Sequence, residues 1–247
     1  MHEAQLHESN CFLTLTYDDK HLPEHGSLYY SDVQKFYRRV RKKLGSFRHF
    51  TCGEYGPKLQ RPHYHACIFG LDFPDKKHFK TSPSGGEIFT SALLDSLWTE
   101  GFASVGGLSY ESARYVAGYC TKKITGQLAA THYARPSIHT GELVQLEPEF
   151  GHMSLKPGIG HGWYKKYKSD VFPRDHVVYD GLKLPVPKYY YNLLKKEENT
   201  QSDEIEYQRF LKSNLNPQDH TRERLATREQ VATARASFKK RNLELSK

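Results

Sequence analysis

Glu54-Tyr-Gly-Pro-Lys-Leu-Gln-Arg-Pro-His63-Tyr-His65 sets a carboxylate on one side of a Gly-Pro turn signal and two histidines on the other. Side chains of a strand alternate between faces, so His63 and His65 share a face. A reversal around Pro57 to Gln60 pairs the flanking residues as an antiparallel hairpin with Glu54 opposite His63. Opposed residues on one face have Cβ atoms about 5 Å apart. Two imidazoles and a carboxylate then converge with coordination positions left over, which suits a catalytic metal site better than a closed structural one. The competing reading is a pair of partly exposed strand histidines, and a bare His-x-His is weak in a chain with 14 histidines. The carboxylate and the turn are what raise it above chance. In the same register Cys52 opposes His65, where a thiolate would compete for a soft metal; phosphoryl transfer favours oxygen-rich shells and Mg²⁺ or Mn²⁺.

Downstream lies Tyr115-Val-Ala-Gly-Tyr119-Cys-Thr-Lys122-Lys123. Ser109 is suited to cap a helix here, with Glu111 early in the first turn. At the helical period Ala113, Val116, Ala117, Cys120 and Ile124 make one apolar stripe. Tyr115 and Tyr119 lie off it, one turn apart, and Lys122 falls on their side. Tyrosines on such a helix commonly fill the margins of a core, but this stripe is complete without them. A phenol with pKa near 10 needs help to act as a nucleophile. A nearby cation lowers its pKa, and a metal polarises the group attacked. Together, the metal site and the tyrosine pair fit metal-assisted DNA strand transfer.

Three segments, Phe12-Leu-Thr-Leu-Thr-Tyr-Asp-Asp19, Arg61-Pro-His-Tyr-His-Ala-Cys-Ile-Phe-Gly70 and Tyr115–Lys123, resemble the three rolling-circle motifs of HUH endonucleases. The wording is most similar to that of the replication initiators of Microviridae, gokushovirus-like phages with single-stranded DNA. The likeness spans residues 11 to about 126, and Met153-Ser-Leu-Lys-Pro-Gly-Ile-Gly160 resembles the segment that follows. It implies that His63 and His65 are paired metal ligands, Glu54 the acidic third ligand, Tyr115 and Tyr119 alternating nucleophiles, and Lys122 a residue steadying the phosphate or the metal geometry. It also implies a ferredoxin-like, five-stranded antiparallel sheet carrying the metal site with the tyrosine helix beside it. Members of that family enter the first strand after a longer, cysteine-containing stretch, so a missing N-terminal segment is one reading of this chain.

Around these motifs the chain reads as strand, helix, strand, strand, helix, strand, helix, an α+β pattern in two layers. Phe12 to Tyr17 is a strand. Ser31 is expected to cap a helix with apolar Val33, Phe36, Tyr37, Val40 and Leu44. Its charged faces carry Lys35, Arg38, Arg39 and Lys42, either a solvated surface or a track for a DNA backbone. Phe47 to Glu54 and His63 to Gly70 form the hairpin, residues 81–86 a loop, Ser91 to Trp98 a helix, and Phe102 to Val105 a short strand. Residues 9–126 are thus a nicking and joining domain, 127–195 a loop-rich extension near the DNA-binding side, and 196–247 a charged helical tail broken around Asn214 to Pro217. Trp163-Tyr-Lys165-Lys166-Tyr-Lys168 suits base stacking with phosphate neutralisation, or equally a short amphipathic helix. Arg61 and Lys123 are further candidate DNA contacts. His152 and His161 read as structural or surface residues.

Thirty-six Lys and Arg against 28 Asp and Glu give a net charge of +8, which favours a polyanionic partner without naming DNA. No run of 18 apolar residues occurs, so no membrane partner is expected. The polar N-terminus has no signal-peptide core, and a cytoplasmic location, in a bacterial host, is expected. The four cysteines lack metal-binding spacing and read as small buried side chains. No Walker-type phosphate loop is present, so unwinding would fall to a host helicase and replication machinery. The expected function is an initiator that nicks single-stranded or melted origin DNA through a 5′-phosphotyrosyl intermediate and rejoins it. The rivals are an HUH transposase or relaxase, a sequence-specific nucleic-acid-binding protein without nuclease activity, and an unrelated metal hydrolase.

Overall fold

The structure, a computed structural model, describes residues 1–56, 59–82, 85–119, 123–137, 140–197 and 199–237. Strand β1 (Asn10–Tyr17) is followed by α1 (Tyr30–Leu44), then β2 (Arg48–Tyr55) and β3 (Pro62–Phe69). Next come β4 (Lys77–Thr81), β5 (Glu87–Thr90), α2 (Ala92–Leu97), β6 (Gly101–Gly107) and α3 (Tyr110–Tyr119). Helix α4 (Gln127–His132), β7 (Ala134–Pro136), β8 (Leu143–Gln145) and β9 (Phe150–Met153) complete the first of two compact units, Met1–Ile159.

The main sheet runs β4-β5-β6-β1-β3-β2-β9, antiparallel throughout. Its centre, β6-β1-β3-β2 with α1 and α2 as crossovers, is the split-βαβ, ferredoxin-like arrangement. The sheet has seven strands rather than about five. The additions are β4 and β5, on either side of residues 82–86, and a strand from the weakly patterned stretch after Gly126, which pairs with β2.

Alternation in β1 decides the two faces. Cys11, Leu13, Leu15 and Tyr17 point into the main core with Tyr64, Ala66, Ile68 and the buried stripe of α1, Val33, Phe36, Tyr37 and Val40. Phe12, Thr14 and Thr16 therefore face the other way. On that opposite face α3 packs Val116 and Ala113 against Phe12, Cys52, Cys67 and Phe69. Each fully buried aromatic or leucine side chain contributes about 2–3 kcal/mol relative to exposure.

Local chemistry pins the elements. Ser91 Oγ accepts from the Leu94 amide and caps α2. Ser109 and Ser112 exchange hydroxyl–amide bonds at the start of α3. Ser31 is not the cap of α1: the helix begins at Tyr30, with Tyr29 as cap residue and no side-chain cap bond. Instead, the Tyr29 amide donates to the Tyr64 hydroxyl at 3.0 Å and the Tyr17 hydroxyl donates to Asp32 at 2.9 Å. The two phenols, 2.7 Å apart, tie that helix end to the sheet. Gly101 is required where β6 meets β1, because a Cβ there would collide with the Thr16 carbonyl oxygen and the Asp18 nitrogen.

The second unit begins at Gly160 and is described by itself. It holds α5 (His161–Val171), a β10–β11 hairpin (His176–Tyr179, Leu182–Pro185), α6 (Lys188–Glu197), α7 (Asn199–Asn214) and α8 (Arg222–Ser237). Its core gathers Tyr164, Val171, Phe172, Val177, Val186, Tyr190, Leu194 and Ile205. Helices α7 and α8 are separated by a 3-10 turn at Pro217–His220, close to the break read from the sequence. Among the described residues no helix is long and apolar enough to cross a membrane.

Candidate active site

The hairpin register places Glu54 opposite His63 and Cys52 opposite His65. On the other flank of β3, Thr16 pairs with His63 and Thr14 with His65. The imidazoles thus sit in the middle of the sheet, on the face away from α1. Glu54 Oε1 lies 2.8 Å from His63 Nε2 and 3.1 Å from His65 Nε2. Ligand atoms of these three residues all fall within 4.8 Å of one another, the one such group among the described residues. Cys52 is not part of that group, although its register position is the one expected.

The second nitrogen of each ring is held in place. His63 Nδ1 lies 3.1 Å from the Arg61 carbonyl, and His65 Nδ1 lies 3.0 Å from Thr14 Oγ1. Because a carbonyl only accepts, His63 must carry its proton on Nδ1 there, which turns Nε2 toward Glu54 as the ligand atom. Phe12 stacks on the His65 ring at 5.6 Å between centroids. Burial alone would raise the Glu54 carboxyl. Hydrogen bonds from His63 and His65, with their charges, outweigh it and lower the group to about 2. An ionised carboxylate and two imidazole nitrogens, oriented and nearly dry, form a donor set that fits a divalent cation. Thr14 was not among the residues picked from the sequence. Its one signal is the alternation in β1, which sends it to the histidine face.

Helix α3 brings Tyr115 to the same place. Its ring meets His65 edge-on, with centroids 5.1 Å apart and planes at 77°. The buried side of the helix is Ser112, Ala113 and Val116, with Tyr115 at its margin, whereas Ala117 is exposed. The expected apolar stripe is therefore narrower than its helical period implied, and Tyr115 borders it instead of standing apart. Tyr119 closes α3 one turn further on. Its side chain, and all of Cys120 and Lys122, lie outside the described residues.

The candidate DNA contacts are dispersed. Arg61 donates to the Tyr17 carbonyl at 2.9 Å and to Asp19 at 2.8 Å, at the end of the sheet beside His63. Lys123 is exposed, and its charge, after burial, lowers the pKa of His152. His152 itself stacks on Tyr30. Lys35, Arg38, Arg39 and Lys42 ride on α1, across the sheet from the histidines. Lys35 pairs with Asp32, and Arg39 is bonded to the Leu97 carbonyl and to Glu100. In the second unit Lys165 and Lys166 are exposed on α5, while Tyr164 is buried and Trp163 stacks on Tyr190. That run is thus a packed amphipathic helix.

An antiparallel split-βαβ sheet bearing a Glu-His-His donor set, with a tyrosine helix laid over it, defines a metal-binding α+β domain. Residues 10–124 match the family model of the replication-associated protein ORF2, and this part of the chain belongs to that family. The chain is 35% identical over 206 residues to the replication-associated protein VP4 of Bdellovibrio phage phiMH2K, covering 79% of this chain and 61% of that one. It is 32% identical over 203 residues to the replication-associated protein ORF2 of Spiroplasma virus 4, with 76% and 58% covered. With the replication-associated protein ORF4 of Chlamydia phage 1 it shares 27% over 225 residues, with 86% and 53% covered. These are replication proteins of Microviridae, as the motif wording led one to expect. The chain spans less than two thirds of the length of each of these relatives. No solved structure matches it.

Proposed function

We propose that this chain initiates replication of single-stranded phage DNA by nicking and rejoining an origin through tyrosine. The observation that carries the reading is the meeting of Glu54, His63 and His65 with the ring of Tyr115 on one face of the sheet. The relatives' replication-associated names agree with it. A divalent ion held by Glu54, His63 and His65, Mg²⁺ or Mn²⁺ by the chemistry of phosphoryl transfer, would neutralise charge on the scissile phosphate.

The chain's own residues do the rest. The hydroxyl oxygen of one tyrosine attacks phosphorus as its proton leaves. The bond to the 3′ oxygen breaks, the leaving oxygen takes up a proton, and a 5′-phosphotyrosyl link remains. The bond count is conserved, so the released 3′-hydroxyl can prime synthesis and the link can be reversed. Tyr115 and Tyr119, about 6 Å apart in rise along one helix, would alternate, the second cutting the regenerated origin while the first is released by strand closure. Lys122 would steady the phosphate. Thr14 and the Arg61 carbonyl keep the imidazoles aimed, and Arg61, Lys123, Lys165 and Lys166 would add phosphate contacts. Helicase and polymerase activity would come from the host cytoplasm.

Incubation with single-stranded origin DNA and Mn²⁺ or Mg²⁺, followed by a denaturing gel, tests the proposal. A covalent protein–DNA adduct supports it. No adduct under any metal condition, with DNA still bound, leaves a binding protein without nuclease activity.

A further inference from the structure

One cross-strand row runs through the candidate site: Glu54 on β2, His63 on β3, Thr16 on β1 and Phe102 on β6. Neighbours in it are registered partners, and all four project from the face opposite the main core, since Leu15 and Ala103 fill the other face. The row ends in an aromatic ring that is 73% exposed. The residues around it on that face, Thr14, Thr16 and Ser104, are short hydroxyl side chains that cannot cover a phenyl ring. Thr16 Oγ1 donates to the Phe102 carbonyl at 3.2 Å, and Gly101 allows the backbone approach that sets this register. The ring therefore stands on a fixed strand, above a low polar floor, in line with the metal-binding group.

A lone exposed phenylalanine needs no explanation in general. This one is distinguished by its register. Two strand spacings separate it from His63, about 10 Å, a distance a nucleotide joined to a phosphate at the histidines can span. Its apolar area is that of one ring, far short of the roughly 800 Å² per partner of a stable protein interface, but it matches the face of one nucleobase. We propose that Phe102 is a stacking platform for an unpaired base of single-stranded DNA next to the scissile phosphate. It would fix which phosphate reaches the tyrosines by holding the neighbouring base. This rests on the nicking function proposed above, and deepens it by naming a positioning residue.

The test uses the full chain without divalent ion, so that binding is read apart from cleavage. Fluorescein-labelled oligothymidylate is the probe, because base–aromatic stacking tolerates any sequence. Phe102→Ala is expected to weaken binding roughly tenfold, and Phe102→Trp to restore it. On an oligomer whose positions are all abasic, the three proteins should bind alike. Equal affinity of wild type and Phe102→Ala for oligothymidylate overturns the proposal. So does an equal loss on the abasic oligomer, which would mean a general effect on the surface, or a change in oligomeric state on gel filtration, which would mean a protein interface. A covalent adduct in the metal-dependent assay together with an unaffected Phe102→Ala removes the stacking role alone. Stacking without any adduct removes the nicking chemistry alone.

Discussion

The ring of Tyr115 stands edge-on to the imidazole of His65, with centroids 5.1 Å apart. A residue proposed as nucleophile thus also packs against a proposed metal ligand, and its hydroxyl and its ring can be separated by mutation. Tyr115→Phe keeps the ring and should leave the unfolding free energy within about 0.5 kcal/mol of wild type. A single adduct is still expected, formed through Tyr119, but completed strand transfer should fall at least about tenfold. The same holds for Tyr119→Phe with the roles exchanged, and the double variant should form no adduct on a denaturing gel with labelled origin DNA. An adduct in the double variant would mean that another group attacks.

Thr14 Oγ1 lies 3.0 Å from His65 Nδ1 and so fixes the ring that offers Nε2 to a metal. Partners of this kind are worth about 10–100-fold in metal affinity. Thr14→Val removes the hydroxyl at constant shape and should weaken Mn²⁺ binding about tenfold in a calorimetric titration. Thr14→Ser should retain it. Equal binding by the valine variant would show that packing against Phe12 and Tyr115 alone holds the imidazole.

His49 predicts a pH dependence away from the site. It is buried on β2, its Nδ1 2.9 Å from Thr51 Oγ1 and its ring 4.5 Å from Tyr37. Burial, then the charges of Arg41, His152 and Arg48, lower its pKa to about 4 from 6.5. The unfolded chain therefore binds a proton between these values that the folded chain does not. The stabilising contribution is complete above 6.5 and is lost as pH falls toward about 4. His49→Gln should flatten this loss by about 1–3 kcal/mol, read as the wild-type-minus-variant difference in urea unfolding at pH 7.5 and pH 5. Glu54, lowered to about 2, loses its contribution only below its ordinary 4.5, outside the measured range. A difference that does not change with pH would rule out a neutral, buried His49.

The hairpin and its convergent ligands were legible because period-two alternation and a short turn leave one register that pairs Glu54 with His63. The split-βαβ order around them was not visible in any local signal and came only with the motif resemblance. The edge strands were illegible for a physical reason. Every residue of Lys77–Thr81 is exposed, so that strand carries no alternation to read. Strand β9 lies in a stretch whose only long-range cue is pairing with β2, which no local pattern encodes. The helix bearing Tyr115 was found, but its inward side was misjudged at Ala117, because helical period gives a stripe and not its rotation against a sheet. Thr14 and Phe102 look like ordinary strand residues until register places them beside the histidines.

Helix α1 was read as a possible DNA track from its charge, and its apolar stripe now sets it across the sheet from Glu54, His63 and His65. Arg39 is committed within the fold: its Nε donates to the Leu97 carbonyl at 2.6 Å and its Nη2 to Glu100 at 2.9 Å. Both are partly exposed, so the pair is discounted for screening, and Arg39→Ala should cost about 1–2 kcal/mol of stability. Arg38 and Lys42 are exposed, and at physiological salt charges act over about 8 Å. The double change Arg38→Gln, Lys42→Gln should therefore leave the adduct rate within about threefold of wild type. It should also leave unchanged the slope of log affinity against log salt for single-stranded DNA. Were α1 to follow the phosphate backbone, each lost contact would reduce that slope by about 0.7. A reduction of that size would return the helix to the DNA-binding surface and extend the DNA around the edge of the sheet to its far side.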